Sequence, residues 1–368
     1  MASSRQSPAD AFRAVLRRNQ EQRAAIIEQN QQPQPPRHPE PVTFYDHTLR
    51  SLFDGDEERM LQELAISRIF FETALNLVNS VRIRTRGRRG FVRTHRDKLL
   101  FLIVFLKEGT DALKKLCLPV LRDESSVLRN LHQCAFLFKD ALVDNTVQFN
   151  NERCEGNPMV SSVVDCTVVE INGPDIPPGK KDEYYSGKHK RHCLKKEVIV
   201  NVRSGTAAMV SEARAGSVSD IVVLKDHAEQ VNLMLGVTRL LADDGYRGDT
   251  RVNNLILASN GGEEDTRARL IVERFFGRLK NVFVFSKTWE LSYRTFDDFF
   301  DIACALTNIS ILQAPLNFDD WEFNECLLRE WEKMIEERVT RDKDRYERKK
   351  LKRLLDQQMV SHMSQTLG

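Results

Sequence analysis

The stretch SSVVDCTVVEI, residues 161–171, decides the fold. Its β-branched residues read as a strand, and it follows a long run of helical periodicity, so the chain changes its period near residue 158. A lone carboxylate within an apolar strand is costly, so Asp165, midway along it, must face a cavity, a cation or a metal. LKKEVIVNVRS (194–204) and AAMVSEARAG (207–216) read as a second and a third strand. DIVVLKDHAEQVNLML (220–235) reads as a helix, VTRLLAD (237–243) as a strand, and helices at 267–280 and 296–313 close the region. Three strands, a helix, a strand and further helices make an α/β sandwich order.

Two more acids stand out by position. Asp243 sits where VTRLLAD ends and D-D-G-Y begins, with Gly245 supplying the backbone freedom of a turn; sites in α/β sheets gather at such strand ends. RARLIVERFFGRLK (267–280) carries a single Glu among its cations. At about 100° per residue, Arg269, Glu273 and Lys280 share one sector of the helix, opposite Ile271, Val272, Phe275, Phe276 and Leu279. That face reads either as solvent-exposed with i,i+4 ion pairing or as a carboxylate held for use between two cations.

Upstream, residues 43–157 read as helical: LQELAISRIFFETALNLV, DKLLFLIVFLKEG, TDALKKLCL and SSVLRNLHQCAFLFKDALV. Gly109 is expected to end the second, Pro119 to end the third, and Ser125 or Ser126 to cap the fourth. Two short helices before a longer one, with Arg129, Asn130, His132 and Gln133 on its polar side, fit a helix-turn-helix. RIRTRGRRGFVR (82–93) puts six arginines, Arg86, Arg88 and Arg89 among them, in twelve residues; this strip suits phosphates or a minor groove, or is a solvated linker. Residues 1–42 form a Gln/Pro-rich arm expected to be disordered. Residues 316–368 read as a charged helical tail whose basic end, Arg345–Arg353, is either a nuclear-import signal or a solvated face.

The 368 residues allow two globular units, and 41% hydrophobic content supports cores. With 55 basic against 53 acidic residues the total charge, +2, is uninformative and local runs matter more. The longest apolar run, LLFLIVFL at 99–106, is too short to span a bilayer, and the start has no apolar signal segment; the expectation is a soluble intracellular protein with no membrane partner. Seven cysteines are scattered without a C-x-x-C pair, which argues against a disulfide scaffold. His189 and His192 have no second cluster to complete a zinc site.

Taken in order, V-V-D-C-T (163–167), G-S-V-S-D (216–220), L-A-D-D-G-Y (241–246) and R-L-I-V-E-R-F-F-G-R-L-K (269–280) resemble the DDE nuclease domain of PIF/Harbinger-type transposases and domesticated Harbinger-derived nucleases. The resemblance covers about residues 158–313, with the nuclease domain it implies, a mixed sheet flanked by helices, expected over 158–315, and the helical region before it is similar to the helix-turn-helix that precedes this domain in the family. It implies an RNase H-like fold in which Asp165, Asp243 and Glu273 bind two divalent ions, Mg²⁺ or Mn²⁺, as hard carboxylate oxygens favour. Asp243 rather than Asp244 matches the D of D-x-G-Y. Asp220 matches the Asp of a G-S-x-x-D motif, as a further metal ligand or, the reading its position favours, as the cap of the helix it opens. Arg269 and Lys280 fit an R-x3-E-x6-K pattern, with Thr266 where the family often has Tyr and Ser219 where it often has His.

Lys280 would then contact substrate phosphate, and Tyr184, Tyr185, Lys188, Lys190 and Arg191 would form an aromatic-basic loop along a DNA backbone. The implied function is phosphodiester hydrolysis at transposon ends and strand joining into target DNA, in the nucleus if the source is eukaryotic and otherwise in the cytoplasm. A homo-oligomer is expected with it, and the need for an accessory DNA-binding protein is left open. The alternative is a domesticated, catalytically silent DNA-binding or adaptor protein that keeps the fold.

Overall fold

Short polar side chains set where the first part of the chain turns. In this computed structural model, which describes residues 43–83, 91–121, 123–154, 157–172, 176, 179–248, 251–260 and 262–316, Thr43, Asp56 and Ser67 each accept the N–H three residues on. They thereby open α1 (Phe44–Phe53), α2 (Glu57–Glu63) and α3 (Arg68–Val78). Each such cap is worth about 1 kcal/mol. Thr94 and Asp97 form a reciprocal capping box at the start of α4 (His95–Glu108), and Asp97, fully buried, also accepts the Tyr45 N–H at 2.8 Å, tying α4 to α1. The apolar run inside α4 is wholly buried from Leu99 to Leu106, so it forms the centre of a helical layer. Among the described residues no helix is long and apolar enough to cross a membrane.

Gly109 ends α4 at φ 86°, as expected. Pro119 does not end the next helix: α5 runs Thr110–Leu121 with the proline inside its last turn, where the fixed φ is helical and only one backbone hydrogen bond is forgone. The cap of α6 (Glu124–Thr146) is neither serine but Asp123, which accepts the Ser126 N–H at 2.7 Å; a carboxylate also suits the positive end of the helix dipole. His132 on α6 lies ring to ring 5.9 Å from Phe299 and so packs inward, while Arg129 and Gln133 beside it stay exposed.

The sheet is built on β1 (Val160–Glu170), antiparallel to β3 (Arg191–Asn201) and parallel to β6 (Arg239–Ala242). A two-residue strand β2 (Tyr185–Ser186) lies beside β3, and β7 (Leu255–Leu257) extends the other edge in parallel to β6, giving the order β2-β3-β1-β6-β7. The stretch 207–216 is not one strand; it splits into β4 (Ala207–Val210) and β5 (Arg214–Ala215), each paired with β3. The segment 220–235 is not one helix either. It breaks at His227 into α7 (Asp220–Asp226) and α8 (Ala228–Leu235), where the His227 ring lies 2.7 Å from a buried carboxylate, Glu197.

Strand alternation divides the apolar side chains between two faces. Val163, Val198, Val200 and Leu241 face the larger core with Ile271, Val272, Phe275, Phe276 and Leu279 of α9 (Glu263–Val282). That core continues without a break through α10 (Phe296–Gln313) into the helical layer as far as Phe44. Val164, Ile199, Leu240 and Ala242 face the smaller core with α7 and α8. Asn308 on α10 joins layers: its carbonyl accepts the Ala207 N–H, and its amide donates to the Thr146 and Ala207 carbonyls. The fold is thus a mixed α/β sheet flanked by helices. The arm 1–42, the tail from 317 onward, and Arg86, Arg88 and Arg89 lie outside the described residues.

Candidate active site

Register places the first two acids. The parallel pairing of β1 with β6 runs to Val163 and Leu241; Asp165 lies two residues further along β1 and Asp243 just past the end of β6, near enough for its charge to act on Asp165. Asp165 is half-buried, and its Oδ1 accepts the N–H of Cys166 at 2.7 Å. Burial pushes its carboxyl up to about 6, with Asp243 and Asp220 adding to the rise and Arg269 opposing it. Asp243 follows the last residue of β6 and opens a 3-10 turn, Asp244–Tyr246, by accepting the Gly245 N–H at 2.8 Å on its Oδ1. Asp244 points elsewhere, to Arg247 at 2.9 Å and to the Ser259 hydroxyl.

Asp220 is not the cap of its helix. Ser219 holds the cap position, and Asp220, the first residue of α7, accepts from Lys195 Nζ at 2.7 Å. A Cβ added at Gly245 would lie 2.9 Å from Asp243 Oδ1 and 3.1 Å from Asp220 Oδ2, so the two carboxylates flank the same turn and only glycine leaves room between them. Asp165, Asp243 and Asp220 are thus brought within electrostatic reach of one another, and an ion pair with Lys195 offsets part of their repulsion.

Glu273 is placed differently. On α9, whose apolar face is buried as its periodicity predicts, the Glu273 carboxylate is 46% exposed and pairs with Arg269 at 2.5 Å. Its partner Arg269 acts on Asp165, lowering its carboxyl. Among the described residues no group of three or more His, Cys, Asp or Glu side chains is closed around a common point where a metal ion would sit. Lys280, two turns further, donates to the Val168 carbonyl at 3.0 Å and ties α9 to β1; burial lowers its pKa. In the hairpin between β2 and β3, Lys188 and Lys190 are exposed, and Arg191 pairs with Glu170 at 3.1 Å. Arg129 is exposed on α6, far along the chain from the acids.

Residues 164–308 match the family model of the DDE superfamily endonucleases. No curated protein and no solved structure matches the chain. The DDE-endonuclease region contains all four acids, from Asp165 on β1 to Glu273 on α9, and supports placing this part of the chain in that superfamily. Nuclease or transposase activity on DNA is what the superfamily suggests, with divalent metals in general use. The donors fit such metals in kind: two carboxylates, Asp243 and Asp220, crowd one turn, and the nearby Asp165 carboxyl is raised by burial and further by those two acids, a distribution that a hard cation would relieve.

Two groups here were not singled out in the sequence. Lys195, which pairs with Asp220, and Glu197, which receives His227, stand in the strand stretch LKKEVIVNV. The signal was present: three consecutive charges, Lys195, Lys196 and Glu197, inside a strand that is otherwise β-branched require three partners. Tyr246 of the D-D-G-Y turn is also wholly buried, its hydroxyl 3.3 Å from Cys166 Sγ.

Proposed function

We propose that the chain is a metal-dependent DNA endonuclease of the PIF/Harbinger transposase type, with an RNase H-like nuclease domain that cuts phosphodiester bonds at transposon ends and joins strands. The observation that carries this reading is the placement of Asp165 on β1 and of Asp243 one residue past the end of its parallel neighbour β6, with Asp220 across the same turn. One oxygen of Asp165 and one of Asp243 is committed to a backbone N–H, which orients each carboxylate and turns its other oxygen to the ligand. Asp165, Asp243 and Glu273 would hold two Mg²⁺ or Mn²⁺ ions, with Asp220 as a further ligand. The chemistry such ions supply is neutralisation of the charge that develops on the attacking, non-bridging and leaving oxygens. Arg269 would exchange Glu273 for a DNA phosphate, freeing the third carboxylate, while Lys188, Lys190 and Arg129, with Arg86, Arg88 and Arg89 of the arginine strip, follow the DNA backbone. A helix-turn-helix in the upstream helices, a homo-oligomer bridging two ends and a nuclear location belong to the same reading.

The test is cleavage of duplex DNA with Mg²⁺ or Mn²⁺. The expected result is nicking by the wild type and loss of it below detection in Asp165→Asn and Asp243→Asn. A second reading, a silent DNA-binding or adaptor protein, is favoured by one observation, the direct pairing of Glu273 with Arg269. DNA affinity that is the same with and without divalent ions, together with no cleavage, would select it.

A further inference from the structure

On the sheet face opposite Asp165 lies a buried polar group that touches every element bearing a clustered acid. Glu197 on β3 is 1% exposed, a position that an ionisable side chain occupies only with partners. Its register partner is Cys166, the neighbour of Asp165 on β1, and Cys166 Sγ lies 3.9 Å from Glu197 Oε2. Tyr246, the last residue of the turn that Asp243 opens, reaches through the smaller core so that its hydroxyl meets both Cys166 Sγ, at 3.3 Å, and the Glu197 carboxylate. His227, which ends α7, places Nε2 2.7 Å from Glu197 Oε1. The Glu197 N–H is itself fixed, donating to Ser211 Oγ at 2.9 Å.

We infer that Glu197 is a positioning residue for the acid cluster: one buried carboxylate anchors β1 through Cys166, the Asp243 turn through Tyr246, and the Asp220 helix through His227. The three acids come from three separate elements, held from the other face by the β1–β6 pairing and the Lys195–Asp220 ion pair. The Asp243 turn is only three residues long, and α7 is two turns of helix that ends where His227 departs from helical geometry. Contacts from three sides tie those elements to Glu197, the His227 approach to Oε1 being a close electrostatic contact without hydrogen-bond geometry; the partners of metal-binding side chains act in this way in general.

The inference rests on the acid cluster being the cation site proposed above, so its test has one readout that depends on cations and one that does not. The full chain is compared with Glu197→Met, Tyr246→Phe, His227→Leu and His227→Gln, by amide hydrogen exchange across residues 244–247 and by calorimetric titration with Mn²⁺. In the wild type the Gly245 and Tyr246 N–H groups donate within this turn. The expected result is exchange in the turn faster by about tenfold or more, and Mn²⁺ affinity lower by about 10–100-fold, in the first three variants. His227→Gln, whose amide donates in the same direction, should stay near the wild type. Asn308→Ala, which loosens a junction on α10, should lower the melting temperature and leave exchange in the turn unchanged.

If turn exchange in Tyr246→Phe and His227→Leu equals that of the wild type, or if His227→Leu behaves as His227→Gln, the positioning role is overturned. If Glu197→Met fails to fold, the His227 pair still decides. If the wild type itself binds no Mn²⁺, the proposed function falls while the exchange rates still settle the role of Glu197.

Discussion

Asp165 shows what a strand does to a carboxyl when its neighbours are acids. Its pKa, about 6 against an ordinary 3.8, is raised first by burial and then by Asp243 and Asp220. A carboxyl raised on folding keeps its proton between those two values while the unfolded chain has lost it. Stability from this group is therefore full below about pH 4 and is lost as pH rises through 6, by on the order of 3 kcal/mol at pH 7. Asp165→Asn should accordingly raise the melting temperature at pH 7.5 without divalent ions, and the gain should vanish near pH 4; calorimetric scans at the two pH values check it. Millimolar Mn²⁺ should narrow the gap by stabilising the wild type alone. This residue was legible in the sequence because an acid amid Val163, Val164, Val168 and Val169 has no bland explanation. Asp220 was misread as a cap because its partner, Lys195, comes from a strand 25 residues earlier, and no local pattern announces that meeting.

At the scale of the element, β3 carries three successive charges whose partners lie in three directions: Lys195 to Asp220, Lys196 to Asp297 and Asp301 at 2.6 and 2.9 Å, and Glu197 to His227. Lys196 is 1% exposed and also lies over the Phe300 ring at 5.4 Å, so it fastens the sheet to α10. Lys196→Met keeps the volume but leaves Asp301, whose carboxyl burial already raises, with Lys139 alone at 3.5 Å. The expected cost is about 3 kcal/mol, read as a lower midpoint in urea at unchanged slope. Long periodic elements were readable: the apolar face of α9 is the one its spacing predicts, and β1 falls within a residue of its expected span. The three residues of β7, the split between β4 and β5 and the break at His227 were not. Elements that short carry no period and owe their form to what they pair with.

Across the whole molecule one hydrophobic cluster runs from Phe44 in α1 to Ile311 in α10. Phe105 of α4 meets Phe299 of α10 at 4.9 Å and Trp289 at 5.9 Å, and Trp289 stacks on Phe285 at 5.6 Å. The helical half and the sheet half were separable in the sequence by their periods. Their shared core was not, because it is written in which face of α10 turns toward α6, a choice that depends on both partners. A fragment of residues 158–316 should therefore expose the aromatic face of α10, bind the dye ANS strongly and lose near-ultraviolet circular dichroism while keeping its far-ultraviolet signal. A fragment with a sharp native melt and no dye binding would refute that expectation.

The bond from Lys280 to the Val168 carbonyl limits how Glu273 could ever reach Asp165. With α9 riveted to β1 two turns beyond the glutamate, the helix cannot slide or roll without tearing that rivet out. Travel of Glu273 toward the acids is left to rotation about its own side-chain bonds. The ion pair with Arg269 then works as a latch on a short arm, opened by whatever anion outbids it.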